Sequence, residues 1–159
     1  MIEGLSEHIK QQIDKAIKKY PAGEQKSAVK TALHLVQDEK GWISPADMKL
    51  VAKYLDISEI EVYEVATFYT MYELEPVGRH VISVCTNISC MLRQSDQIVE
   101  HLKNKLSIDF GETTNDKRFT LKEVECLAAC GGAPAIQVGT TYHENLTCDK
   151  IDKLLDGLE

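Results

Sequence analysis

Two short cysteine turns constrain this chain more than any other feature. Cys85 and Cys90 lie in Val84-Cys85-Thr86-Asn87-Ile88-Ser89-Cys90, and Cys126 and Cys130 lie in Glu125-Cys126-Leu127-Ala128-Ala129-Cys130-Gly131-Gly132. The stretch between the two pairs is long enough for a helix and a return strand. Thiolates are soft ligands, and four that converge suit either zinc or an iron–sulfur centre. A fold for this chain must therefore bring two distant turns together.

Composition narrows the setting. The chain has 159 residues, 43% of them hydrophobic and 27% charged, enough for a buried core and a polar surface. Its net charge of -7 and the lack of any basic run argue against nucleic-acid or anionic-membrane binding. No apolar run suits a transmembrane helix, so no membrane insertion is expected. The start, Met1-Ile2-Glu3-Gly4-Leu5, resembles neither a secretory signal nor a transit peptide, which points to a cytoplasmic protein. In a reducing compartment clustered cysteines are more often metal-binding or catalytic than disulfide-bonded, and five is an odd number.

The first part of the chain reads as about four helices joined by short turns. Ser6 is an N-cap ahead of Ile9, Ile13 and Ile17, and Pro21 closes that helix. A second helix is expected from about Glu24 to Lys40, burying Val29, Ala32, Leu33 and Val36, with Gly41 as its stop. Ser44-Pro45 opens a third through about Leu55. Ser58 and Glu61 form a capping box for a fourth carrying Ile60, Val62 and Val65. Phe68-Tyr69-Thr70-Met71-Tyr72 follows, read as core packing or as a partner-facing patch. Pro76-Val77-Gly78 marks a boundary between a helical domain, 1–78, and a second domain, 79–159.

Beyond Gly78 the period changes. His80 to Val84 alternates and reads as a strand ending at Cys85. One helix is expected next, with Met91, Ser95, Ile98, Leu102 and Leu106 along a face. Phe119 to Glu125 reads as a strand ending at Cys126, and Ala135–Val138 with Thr141–His143 as a hairpin around Gly139-Thr140. Thr147 caps a last helix bearing Ile151, Leu154 and Leu155. Two strands joined by a helix pair in parallel through a right-handed crossover, so both cysteine turns fall at the same edge of the sheet. The expected class is α+β: a helical bundle followed by a thioredoxin-like α/β domain with a mixed four-stranded sheet.

Three chemistries compete for the four thiols. Structural zinc usually uses knuckles with two residues between cysteines, and neither turn has that spacing. A redox dithiol calls for Cys-x-x-Cys, which is also absent. A 2Fe–2S cluster spreads four thiolates over two irons, and a wider loop around each iron suits it. Gly131 and Gly132 are read as letting backbone amides approach the cluster sulfides.

Several motifs carry a resemblance. Glu61-Val62-Tyr63-Glu64-Val65-Ala66-Thr67-Phe68-Tyr69-Thr70-Met71-Tyr72, Val84-Cys85-Thr86-Asn87, Cys90-Met91-Leu92-Arg93, Gly111-Glu112-Thr113-Thr114 and Val124-Glu125-Cys126-Leu127 resemble the E-type subunits of bacterial NADH–quinone oxidoreductase, the respiratory complex I. The likeness spans about residues 25–158. It implies one 2Fe–2S cluster, with Cys85 and Cys90 on one iron and Cys126 and Cys130 on the other. It also implies a partner, the F-type flavoprotein of the same complex, which binds FMN and NADH, so this chain is expected to bind neither. By the same likeness the chain is part of an oxidoreductase, peripheral on the cytoplasmic face of the inner membrane, with no substrate site of its own. The chain departs from many members in carrying Gly131-Gly132 ahead of Ala133-Pro134.

Alternatives stay open at this point: the equivalent component of an NAD-linked hydrogenase or formate dehydrogenase, a free-standing ferredoxin that elutes as a homodimer, or a zinc-stabilised interaction module. Trp42 is read as core packing between helices, and the five histidines show no ligand spacing. Arg93 is either a surface charge or a counter-charge to the cluster or to a partner. Cys148, in the first turn of the last helix, is read as a bystander.

Overall fold

The computed structural model describes residues 4–158. By packing it divides into two compact units, Met1–Pro76 and Val77–Glu159. No helix among the described residues is long and apolar enough to cross a membrane.

The first unit is helical because its apolar residues recur at helical spacing between strong caps. Helix α1 spans Glu7–Ile17, and the Ser6 hydroxyl accepts from the Ile9 N–H at 3.2 Å. Helix α2 spans Val29–Lys40 and stops at Gly41, whose φ of 85° is left-handed backbone that glycine adopts without strain. The expected start near Glu24 is instead a separate 3-10 turn, Gln25–Ala28, ahead of the α-helix. Helix α3 spans Pro45–Leu55 and α4 spans Glu59–Phe68. Asp47 and Glu61 close capping boxes on Ser44 and Ser58, each carboxylate accepting from the cap residue's N–H at 3.0 Å.

One core runs through this unit, from Leu5, Ile9 and Ile13 through Leu33, Val36, Met48 and Val51 to Val62 and Tyr72. Three places differ in detail from the simplest reading of the sequence. Ile60 faces out rather than in, since α4 is packed on one side only. Trp42 is half-buried, and its neighbour Ile43 fills the core position instead. The aromatic stretch divides: Tyr72 is buried and donates to the Lys30 carbonyl at 3.0 Å, whereas Phe68 and Met71 are exposed.

The second unit is a four-stranded mixed sheet of order β2-β1-β3-β4. Strands β1, His80–Cys85, and β2, Phe119–Val124, run parallel, with Cys85 opposite Val124. Strands β3, Ile136–Val138, and β4, Thr141–His143, extend the sheet antiparallel. The single helix expected between the first two strands is broken. A short α5, Ile88–Met91, ends at Leu92, and Gln94 takes a positive φ of 69° before α6, Ser95–Leu106, begins. The break lets α5 carry Cys90 back toward Cys85, while α6 packs along the sheet.

The last helix, α7, spans Cys148–Gly157. Ile82, Val84, Leu121 and Ile136 of the sheet join Ile98 and Leu102 of α6 and Ile151 and Leu155 of α7 in a second core. Gly78 lies against β2 so closely that a Cβ would sit 2.9 Å from backbone atoms of Phe119. Only glycine lets the chain enter the sheet there.

Candidate metal centre

The parallel pairing of β1 and β2 places the ends of both strands at one edge of the sheet, and both cysteine turns leave from that edge. Cys85 is the last residue of β1 and Cys90 lies in α5; they are 4% and 2% exposed. Cys126 lies two residues past the end of β2, and Cys130 opens the 3-10 turn Cys130–Gly132; both are exposed. All four thiols are free. Cys148 lies apart, half-buried at the start of α7, beside a cavity of about 320 Å³ that Arg93, Gln97 and Pro134 also line.

The thiols interact across the two turns. Cys85 Sγ donates to the Glu125 carbonyl, one residue before Cys126, at 3.9 Å, and Cys90 and Cys126 are both close enough to favour its thiolate. Cys90 feels Cys85 directly and the charge of Cys130. Backbone donors surround the sulfurs. The Ala128 N–H donates to Cys126 Sγ at 3.2 Å, and the Asn87, Leu127 and Ala135 amides lie near enough to Cys85 and Cys90 to favour their thiolates.

These contacts split the two buried thiols. Burial pushes the Cys85 thiol up, but the Asn87 and Leu127 donors and its two cysteine neighbours outweigh it and hold Cys85 below the ordinary thiol range. Burial pushes the Cys90 thiol up, and the hydrogen bond and charge of Cys85 push it further, against the pull of the Ala135 N–H.

A test of fit to an iron–sulfur group follows from this donor set. N–H donors spread the charge of iron-bound thiolates, and Cys126 has one in Ala128 at 3.2 Å, while backbone amides also favour the thiolates of Cys85 and Cys90. Among the described residues no three His, Cys, Asp or Glu side chains are grouped as a single ion requires. Two irons, each taking two thiolates, ask less of any one point. The residues present fit the group.

The backbone donors escape sequence reasoning, because an N–H is carried by every residue except proline. The one clue is Asn87, ahead of α5. Nor do the two glycines act alike. Gly131 has open space where a Cβ would be, so its backbone is free to approach a ligand. Gly132 does not serve that purpose: its N–H donates to Ala129 O at 3.0 Å, and its missing side chain makes room for Glu144. Beside the site Ile88 and Leu92 are 65% and 75% exposed, and Met91 is also exposed. So short a helix would not normally offer water three large apolar side chains together. Arg93 is exposed beside the Cys148 cavity.

With this geometry in view, the family model for thioredoxin-like [2Fe-2S] ferredoxins matches residues 13–159. The chain belongs to the thioredoxin-like [2Fe-2S] ferredoxin family. Within it the chain is similar to the E subunit of NADH-quinone oxidoreductase from Rickettsia conorii, 44% identical over 147 residues, covering 92% of this chain and 88% of that protein. The second of the E subunits of NADH-quinone oxidoreductase from Rhizobium meliloti is 43% identical over 148 residues, covering 93% of this chain and 87% of that protein. Family members of this kind are oxidoreductase subunits. Among solved structures, a crystal structure of NAD+-reducing [NiFe]-hydrogenase in the air-oxidized state matches with a TM-score of 0.69 and 18% identity. The match covers 79% of this ferredoxin-family chain and 22% of the hydrogenase chain, and it bears on the fold alone.

Proposed function

We propose that this chain is an electron-transfer component of NADH–quinone oxidoreductase that holds one 2Fe–2S cluster. Cys85 and Cys90 would ligate one iron, and Cys126 and Cys130 the other. When bound, such a cluster supplies a one-electron redox couple. The observation that supports the reading is that both thiol pairs leave from one sheet edge, with the Ala128 N–H donating to Cys126 Sγ at 3.2 Å.

Each part of the chain then has a role. The Asn87, Leu127, Ala128 and Ala135 amides offset thiolate charge, which favours the reduced, more negative state. The buried side of the site, Cys85, Cys90 and Ala133, excludes water. The open side, at Cys126 and Cys130, is where electrons pass to or from a partner. Ile88, Met91 and Leu92 border the site and supply apolar area for docking. The partner is the F-type flavoprotein, which carries FMN and binds NADH. The helical domain, 1–78, serves as a docking extension. The assembled complex holds this chain peripherally at the cytoplasmic face of the inner membrane.

Co-purification with the flavoprotein tests the reading. Native lysate prepared without oxygen should yield the two chains together. NADH should then reduce the flavin and produce a paramagnetic 2Fe–2S signal. Elution of this chain as a flavin-free homodimer with its cluster intact would favour a free carrier instead.

A further inference from the structure

We infer that Glu144 tunes the reduction potential of the cluster, its carboxylate making the cluster harder to reduce from a seat against the turn that carries Cys130. The inference rests on the 2Fe–2S reading just given, and it concerns a residue that no cysteine motif includes.

Three contacts strap the connector between β4 and α7 over that turn. Asn145 N–H donates to Gly132 O at 2.6 Å, and Leu146 N–H donates to Pro134 O at 3.2 Å. The third is steric: the carboxyl carbon, Oε2 and Cβ of Glu144 occupy the space that a side chain on Gly132 would need. The turn is thus held by its chain neighbour two residues beyond Cys130, and the group that holds it is an acid.

Glu144 makes no direct ion pair among the described residues. Lys150, a cation that reaches this connector, donates to the Asn145 carbonyl at 2.7 Å instead. Reduction adds an electron to a centre that four thiolates already make negative. Glu144 is exposed, so water screens its carboxylate in part, but its seat against Gly132 keeps that charge on the turn that carries Cys130, where it raises the cost of the electron by Coulomb repulsion. The role is positioning and electrostatic, since Glu144 is not a ligand.

The experiment is a potentiometric titration, followed by electron paramagnetic resonance, of the full chain with its cluster reconstituted. Glu144→Gln keeps the shape and removes the charge. It should leave iron and sulfide content unchanged and move the midpoint to a more positive potential. The expected rise in the equilibrium constant for reduction is roughly threefold to tenfold, where tenfold is about 59 mV for one electron. Gly132→Ala, which evicts the carboxylate from its seat, should shift the midpoint in the same direction and decides the matter if the first variant fails to fold. A wild-type midpoint in a variant that keeps its cluster overturns the inference and leaves the cluster reading standing. A wild-type chain that takes up no iron removes both.

Discussion

The two cysteine turns present the same chemistry in opposite settings. Cys85 and Cys90 are buried, one ending a central strand and the other on a helical turn folded back toward it. Cys126 and Cys130 are exposed, on a loop whose regular structure is one 3-10 turn. The first turn packs its two thiols into a small buried cluster with Ala133. The second is held by β2 before Cys126, by the strap of residues 144–146 after Cys130, and between them by Leu127, which packs against Cys85, Cys90 and Ala133. A redox site gains from this asymmetry: a rigid, dry half holds the group in place, and a wet half meets the partner.

The largest effects on this comparison come from removing ligands. Changing any of the four cysteines to serine should abolish the visible absorbance of the cluster. The variants should then divide once iron is gone. Cys85→Ser and Cys90→Ser place a hydroxyl in an apolar site and should lower apo-protein stability by about 1–3 kcal/mol in urea melts. Cys126→Ser and Cys130→Ser should stay within about 0.5 kcal/mol of the parent apo-protein. Equal losses from both turns would break the asymmetry.

Next in size is thiol accessibility. After iron is stripped with a chelator, alkylation followed by mass spectrometry should modify Cys126 and Cys130 at least about tenfold faster than Cys90, as exposure governs access. Hydrogen exchange should show the same contrast, with new exposure over residues 126–132 and retained protection over 80–85. Protection lost equally in both would mean that the first turn also depends on the metal.

The smallest effect separates both turns from the helical unit. Asp47 is buried, and although burial raises its carboxyl, Lys40 and the Ser44 cap outweigh this and hold it below the usual carboxylate range. Its contribution to folding is present above the ordinary value of 3.8 and is lost as pH falls through the lower folded value. Acid melts of the full chain should therefore include a loss of stability at the helix of residues 45–55. Asp47→Ala should remove about 1–2 kcal/mol at neutral pH and flatten that acid limb. An unchanged acid limb would assign the loss to another carboxylate.

Legibility in the sequence tracks the length scale of the cause. Caps and stops are local, so Ser6, Gly41, Ser44 and Ser58 marked the helix ends, and Ile9, Leu33 and Ile151 declared themselves core by period. The parallel pairing of β1 and β2 followed from chirality and a crossover helix. The break at Gln94 was hidden because Met91, Ser95 and Ile98 keep helical spacing across it. The roles of the two glycines were hidden for another reason. Gly132 is small because Glu144 occupies its space, and no local rule links residues so far apart. The amide donors at Asn87, Leu127, Ala128 and Ala135 depend on three-dimensional approach and on no residue type.

The most direct test is metal and sulfide analysis of the full chain purified without oxygen. Iron and acid-labile sulfide in equal amounts, about two of each per chain, is the expected result, and all of it should vanish with the Cys85→Ser change. A colourless protein carrying stoichiometric zinc, with neither iron nor sulfide, would contradict the account.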